Sequence, residues 1–196
     1  MKTTDQRFTV KDMMIVGVMG ALVFASTAFL KIGPIPTPAG PTMLKTGNIL
    51  CLLAGLLFGG VRGGLAAGFG SAIYDMCDPV FIKDAPFTLI RFFLMGYLCG
   101  KIAHLGGHTG DSRTLNIIGA VVGSVFSFAF HIIKSIIELM LAGSAFSAAV
   151  ASCSISAITS GINAFLAVVI SLIVLPVCRS ALIHAGFGGQ LQPQAK

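Results

Sequence analysis

Three ionisable residues lie within an otherwise apolar stretch of the chain. His131, Lys134 and Glu138 are spaced three and four positions apart, so a helix places all three on one face. The surrounding stretch, 117–141, is long enough to cross a bilayer, where one charge costs from a few to roughly ten kcal/mol or more. Such residues persist where a protein interior, a partner charge or a ligand receives them. The pattern is typical of a binding site or an ion path inside a membrane protein.

The composition indicates an integral membrane protein. Hydrophobic residues make up 55% of the 196 residues, charged residues only 10%, and the mean hydropathy is +0.92. The five cysteines are scattered and form no CxxC pair, so we expect no disulfide framework, metal site or cofactor. The net charge of +6 comes mainly from basic residues near the ends of apolar segments, which is a topology signal and not a nucleic-acid signal.

Six apolar segments predict an all-α integral membrane protein, a compact bundle of six transmembrane helices. The first helix follows a capping pattern, Thr9-Val-Lys-Asp12, and a proline-rich loop separates it from the second. We expect a membrane domain at 11–180, with cytoplasmic tails at 1–10 and 181–196. The six predicted helices span about 11–30, 43–58, a glycine-rich segment that ends near 75, 85–104, 115–141 and 152–177.

The distribution of basic residues predicts that both termini are cytoplasmic. With that orientation the positive-inside rule is satisfied, because the basic residues in the loops and at the ends of the apolar segments divide eight to three in favour of the cytoplasm. The cytoplasmic group is Lys2, Arg7, Lys11, Arg62, Lys101, Arg113, Arg179 and Lys196, and the outer group is Lys31, Lys45 and Lys83.

This topology brings polar residues from five segments to similar depth in the outer half of the bundle. The inner halves of the same helices are almost purely apolar, which argues against a continuous polar pore. We therefore predict a closed pocket. Whether the charged residues hold a ligand or pair with one another stays open at this point. The candidate substrate-binding residues are Lys45, Asn48, Tyr74, Asp75, Arg91, His131, Lys134, Glu138 and Asn163.

Small residues recur every fourth position on several predicted helices. Most of these stripes indicate close helix packing inside the bundle. The stripe formed by Gly17, Ala21 and Ala25 on the first helix has two readings that spacing alone leaves equal. It is either internal packing or a docking face for another membrane subunit.

The chain resembles the substrate-binding S components of energy-coupling factor (ECF) transporters over about residues 9–180. The resemblance is carried by Ala21-Leu-Val-Phe-Ala25, by Gly47-Asn-Ile-Leu-Cys-Leu-Leu-Ala-Gly-Leu-Leu-Phe-Gly59 and by the glycine-rich helix that ends at Tyr74-Asp75. The segment Ala85-Pro-Phe-Thr-Leu-Ile-Arg-Phe-Phe-Leu-Met-Gly96 is similar to the branch that serves riboflavin, hydroxymethylpyrimidine and pyridoxine-type substrates.

The resemblance implies a non-enzymatic receptor in the plasma membrane of a prokaryote. Such a receptor captures a water-soluble vitamin or precursor on the outer face, here first of all a pyridoxine- or hydroxymethylpyrimidine-like molecule. The family's AxxxA motif falls on Ala21 and Ala25, which would contact the transmembrane T component, and the first loop would roof the pocket. Two cytoplasmic ATPases would power transport, and this chain carries no GxxxxGK[ST] motif of its own.

Two other classes of protein compete with this interpretation. An ion- or proton-coupled transporter would use Glu138 and His131 as a relay, but it needs polar groups on the inner halves of the helices, where they are scarce. A membrane-embedded enzyme needs a nucleophile–base pair or converging metal ligands, and the sequence shows neither.

Overall fold

The computed structural model describes residues 9–187, of which 81% are helical. The parts of the predicted tails at 1–8 and 188–196 lie outside the described residues. Short helical turns occupy Ile82–Asp84, Leu105–Gly107 and Ile183–Phe187. The seven α-helices of the described chain are α1 (Val10–Phe29), α2 (Gly47–Phe58), α3 (Gly60–Cys77), α4 (Ala85–Ala103), α5 (Arg113–Leu141), α6 (Phe146–Ser152) and α7 (Ser154–Leu182).

Within residues 9–187, four helical segments are long and apolar enough to cross a membrane. They are α1, the segment Ile82–Ala103 that contains α4, α5, and the segment Ser154–Gly186 that contains α7. The other two predicted spans do not meet these criteria, because α2 has only 12 residues and the glycine-rich α3 is less apolar. The short helix α6 was not expected, and α7 extends beyond the predicted sixth helix.

The proline-rich connection after α1 forms a β-hairpin, where the sequence predicted a loop. Strand β1 (Lys31–Ile35) pairs antiparallel with β2 (Thr42–Lys45), and Lys31 lies opposite Lys45. The second predicted helix was therefore wrong at its start, since 43–45 belong to β2 and α2 begins at Gly47. The apolar run continues across both elements, and only the pairing with β1 separates them.

Helix α2 forms the centre of the bundle, with α1, α3, α4 and α7 packed around it. Its side chains Cys51, Leu52 and Leu56 are completely buried. Glycines bring the neighbouring backbones together, and a Cβ atom added at Gly64 of α3 would lie 2.7 Å from the carbonyl oxygen of Phe93 in α4. The small-residue stripe on α3 therefore serves internal packing, as predicted.

The first helix is anchored to α3 along one face and open along the other. Its N-terminus has the predicted capping box between Thr9 and Asp12, and the Asp12 carboxylate forms a 2.8 Å salt bridge with Arg62 of α3. The buried face of α1 includes Val23 and Thr27, whose exposed fraction is 0%. The open face leaves a stripe of α1 available for contact with another molecule or with lipid.

Candidate substrate-binding site

A cavity lies at the end of the bundle that the hairpin covers. About 650 Å³ of space there, which includes open solvent, is not filled by protein atoms, and the centre of a water molecule can occupy about 80 Å³ of it. Its wall contains both polar and aromatic side chains. The lining residues are Pro41, Thr42, Met43, Lys45, Asn48, Asp75, Phe81, Asp84, Phe87, Thr88, Arg91, Phe92, Phe130, His131, Lys134, Ser160 and Asn163.

The cavity brings together seven of the nine candidate site residues. Tyr74 and Glu138 are not among the lining residues, although Glu138 contacts the lining residue Lys134. The seven belong to β2, α2, α3, α4, α5 and α7, so six elements contribute side chains to the lining of one cavity. These seven are Lys45, Asn48, Asp75, Arg91, His131, Lys134 and Asn163.

Two cations share one aromatic ring inside the cavity. The Nζ atom of Lys45 lies 4.5 Å from the centroid of the Phe92 ring, and the guanidinium carbon of Arg91 lies 5.0 Å from it. The Nε atom of Arg91 donates a 2.8 Å hydrogen bond to the Ser127 hydroxyl, which fixes the plane of the guanidinium. Among the described residues, neither cation has a carboxylate oxygen within 4.0 Å.

Two buried oxygens face the same region. The side chains of Asn48 and Asp75 are 5% and 3% exposed, and the Oδ1 atom of each has no hydrogen-bond partner within the described part of the chain. A buried acceptor without a donor is unfavourable by about 1–3 kcal/mol. The cavity therefore contains both unpaired acceptors and cations without a close counter-charge.

Lys134 is held by two carboxylates. Its Nζ atom lies 2.5 Å from Asp84 and 2.9 Å from Glu138, and Glu138 is the more exposed partner at 43% of its side chain. The same ammonium lies 5.3 Å from the Phe87 ring. The geometry thus gives the pairing of Lys134 with Glu138 that the sequence left open, and adds Asp84. Arg91 forms no salt bridge with Glu138 in the described part of the chain.

His131 joins α5 to α7 through a side-chain hydrogen bond. Its Nε2 atom lies 2.9 Å from the Ser156 hydroxyl. Glu138, the other member of the hypothetical proton relay, contacts Lys134 instead. The two relay residues are therefore not hydrogen-bonded to one another in the described structure. His131 contacts Ser156 of α7, and Glu138 contacts Lys134 of α5.

The hairpin is fastened over the cavity at two places. Asn163 of α7 donates a 2.8 Å hydrogen bond to the Met43 carbonyl, and its Oδ1 atom accepts a 3.0 Å bond from the Lys45 backbone N–H. On the other strand, Lys31 donates hydrogen bonds to the Tyr74 hydroxyl and to Asp78, the latter at 2.9 Å. Tyr74 is thereby a hairpin anchor.

The second anchor shifts the pKa values of its charged groups in opposite directions. The hydrogen bond to Tyr74, with the one to Asp78, raises the pKa of Lys31. The Tyr74 hydroxyl, which donates a 2.7 Å bond to Asp78, and the Lys31 ammonium lower the pKa of the Asp78 carboxyl. Both shifts favour the charged forms, so the anchor is an ion pair at neutral pH.

Several lining residues were not predicted as site residues, notably Asp84, Thr88 and Phe92. The last two follow from helical spacing, because Thr88, Arg91 and Phe92 lie at positions i, i+3 and i+4 of α4 and share one face. Asp84 precedes α4, and only the distant contact with Lys134 shows that it belongs to the cavity.

The described residues hold no group of three or more His, Cys, Asp or Glu side chains that could bind a metal ion. His108 and Asp111 do contact one another at 3.1 Å, but they lie on an exposed loop between α4 and α5.

The stripe on α1 lies away from the cavity. Gly17 and Ala21 are exposed and Ala25 is half-buried, and a Cβ atom added at Gly17 would meet no other atom within 4 Å. Internal packing, one of the two readings that the spacing left open, does not account for Gly17 and Ala21 within the described residues.

Comparison with known proteins gives two matches. The family described as "ECF-type riboflavin transporter, S component" matches residues 7–180. A protein of Pyrococcus woesei, described as "Uncharacterized protein in gap 3'region", is 35% identical over 91 residues. The matched segment is 46% of this chain, and it spans 57% of the length of that curated relative.

Proposed function

Because this chain belongs to the family of ECF-type riboflavin transporter S components, we propose that it captures a water-soluble vitamin or vitamin precursor and delivers it inward. The family consists of membrane proteins that bind substrates for transport and are not enzymes. The proposed substrate is a flat heterocycle of pyridoxine or hydroxymethylpyrimidine size. Riboflavin, which names the family, is the second candidate.

The observation that carries this proposal is the cavity beneath the hairpin. Side chains from six elements converge on it, and four phenylalanines, Phe81, Phe87, Phe92 and Phe130, line it beside charged and amide groups. Binding sites for small molecules typically combine aromatic side chains with a few polar groups that orient the ligand. The nine candidate residues remain proposed ligand contacts or, for Tyr74 and Glu138, proposed supports of such contacts.

We place six helices across a prokaryotic plasma membrane, with both termini in the cytoplasm and the cavity toward the outer face. The short α2 is compatible with this arrangement because other helices surround it, so its length need not match the full hydrocarbon thickness. The close glycine contacts of α3 with α4 likewise place much of α3 against protein.

The proposed partners are a transmembrane T component and two cytoplasmic ATPases. The small-residue stripe of Gly17, Ala21 and Ala25 is the proposed docking face for the T component. Its exposure supports this role, because small side chains allow a partner helix to approach closely in lipid.

Co-purification with T and ATPase subunits tests the partner assignment. Ala21→Phe fills the stripe without adding a charge, and we expect it to abolish the complex while vitamin binding by the isolated chain is retained. Val125→Phe is the matched control, because Val125 is 58% exposed on α5 and distant from the stripe. Equal recovery of the complex in both variants would contradict the docking face.

Ligand binding tests the receptor assignment directly. The purified chain should gain thermal stability with at least one B vitamin or precursor, since a ligand that binds only the folded state raises the melting temperature. Cells that express the chain with its partner subunits should accumulate the same compound. A chain that binds none of the B vitamins or precursors, and assembles with no T component, would overturn the proposed function.

A further inference from the structure

The charges around the cavity fall into two groups. In the outer group, Lys134 has two carboxylate partners, Asp84 and Glu138, both within 2.9 Å. In the inner group, Lys45 and Arg91 face a single carboxylate, Asp75, which forms no salt bridge with either. The inner group therefore has one positive charge in excess, in a region where counter-ions from solvent are restricted.

The two cations of the inner group, Lys45 and Arg91, lie near the same aromatic ring, that of Phe92. Both lie within 5.0 Å of the Phe92 ring centroid, and Phe92 itself is only 1% exposed. Because Nε of Arg91 is bound to Ser127, its plane is fixed, and no described residue pairs with its two terminal nitrogens. A fixed guanidinium edge is the geometry that binds a planar carboxylate with two hydrogen bonds.

Two buried acceptors of the inner group are also unpaired. The Oδ1 atom of Asn48 is an amide oxygen, and that of an ionised Asp75 is a carboxylate oxygen. Both are unpartnered, and both accept hydrogen bonds but cannot donate them. A ligand that satisfies this part of the cavity must therefore supply N–H or O–H groups as well as a negative charge.

We propose, on the basis of the proposed function, that the substrate is a heteroaromatic monocarboxylic acid. Its carboxylate lies between Lys45 and Arg91, its ring lies beside Phe92, and its N–H or O–H donor reaches Asn48 or Asp75. A single negative charge matches the single excess positive charge. A phosphate ester, which carries close to two negative charges at neutral pH, would leave the inner group negative.

Matched acid and neutral compounds test this assignment on the wild-type chain. The probes are nicotinate against nicotinamide and 4-pyridoxate against pyridoxine, with riboflavin and pyridoxal 5′-phosphate measured alongside. Affinity is measured by isothermal titration with the full chain in nanodiscs. We expect the acid of at least one pair to bind roughly tenfold to a hundredfold more tightly than its neutral partner, the range for hydrogen bonds to charged groups.

Variants then assign the preference to its residues. Arg91→Gln and Lys45→Gln should remove most of the preference for the acid, and Arg91→Lys should retain part of it. Lys101→Gln is the control, because it removes one positive charge from the same helix as Arg91 at an exposed position beside Tyr97. Melting temperatures without ligand show whether each variant folds, and the comparison of acid with neutral compound in the wild type does not depend on them.

Each result is decisive for one of the two proposals. Equal or tighter binding of the neutral member in both pairs, or of riboflavin alone, would overturn the carboxylate and leave the vitamin receptor standing. Tighter binding of pyridoxal 5′-phosphate than of either acid would likewise overturn it. Failure of every compound together with failure to assemble with a T component would remove the proposed function itself.

Discussion

The side chain of Asn163 binds the backbone around Lys45 as a neighbouring strand would. Its amide accepts the Lys45 N–H at 3.0 Å and donates to the Met43 carbonyl at 2.8 Å, so one side chain of α7 pairs with both sides of Leu44. The sequence predicted Asn163 as a ligand contact. The geometry gives it a second task, which is to hold β2 and thereby the Lys45 side chain over the cavity.

Replacing Asn163 with alanine should therefore destabilise the hairpin. Two buried hydrogen bonds are lost and two backbone groups are left unpaired, which costs about 1–3 kcal/mol each where water cannot replace the amide. We expect faster hydrogen exchange at the β2 amides and a lower melting temperature. Thr159→Ala on the same helix is the control, because its hydroxyl bonds only the Ile155 carbonyl of α7. Equal exchange rates in the two variants would contradict the role of Asn163.

Most of the helical segments and the convergence of polar residues on one cavity could be predicted from the sequence, but the hairpin could not. Apolar segments and the distribution of basic residues depend on local composition, and they placed Arg91, His131 and Lys134 at a common level. The strand at 43–45 depends on pairing with β1 and on Asn163, which is 120 residues from Met43 in the chain. Contacts of that separation leave no local pattern, so 43–45 was assigned to a helix.

The ion pair of Lys31 with Asp78 predicts a pH dependence of hairpin stability. The lowered pKa of Asp78 means that its contribution is present above its ordinary value of 3.8 and is lost as the pH falls through the folded-state value. The raised pKa of Lys31 acts at the other end, with its contribution complete below 10.5 and lost only at higher pH. The anchor is therefore strongest across the neutral range and weakens in acid.

Asp78→Asn should remove the loss of hairpin stability that the wild type shows at acid pH. At pH 7 the variant should melt a few degrees below the wild type, as a loss of about 1 kcal/mol produces in a protein of this size. As the pH falls through the lowered folded-state pKa of Asp78, the two melting curves should converge, because Asp78 then becomes protonated in the wild type as well. Melting is followed by circular dichroism, and a difference that persists unchanged in acid would contradict the ion-pair assignment.

The two carboxylates around Lys134 predict unequal effects of their removal. Glu138→Gln should change stability by no more than about 1 kcal/mol, because Glu138 is the more exposed partner and Asp84 still pairs with Lys134. Asp84→Asn removes the shorter bridge and should destabilise more. Thermal melting of the two variants measures this order, and the reverse order would show that Glu138 is the principal partner.

The same Glu138→Gln variant separates the receptor from the proton-coupled transporter. If vitamin uptake depends on ATPases in partner chains, uptake by the complex should persist in the variant and should not respond to a protonophore while ATP is maintained. Loss of uptake with unchanged ligand binding would support the Glu138 and His131 relay instead.

The site itself could be predicted in part, for a similar reason. Arg91 was identified because an isolated cation in an apolar helix is energetically exceptional. Phe92 is its sequence neighbour but was missed, since a phenylalanine in a membrane helix has no distinguishing cost and gains its role only from the Lys45 and Arg91 cations near its ring. Asp84 was missed because its partner Lys134 lies 50 residues away.

Close backbone packing predicts a sharp difference between two glycine positions. A Cβ atom at Gly123 of α5 would lie 2.7 Å from the Met95 carbonyl oxygen of α4, whereas one at Gly161 of α7 would lie 3.9 Å from the nearest atom, on Phe128. Gly123→Ala should therefore force α4 and α5 apart and cost about 1–3 kcal/mol, while Gly161→Ala should be neutral or stabilise by up to about 1 kcal/mol through helix propensity. Thermal melting in the same detergent measures both. Equal melting temperatures would show that α4 and α5 are not in contact at this glycine, and the small-residue stripe of α5 would then lose its assigned role in packing.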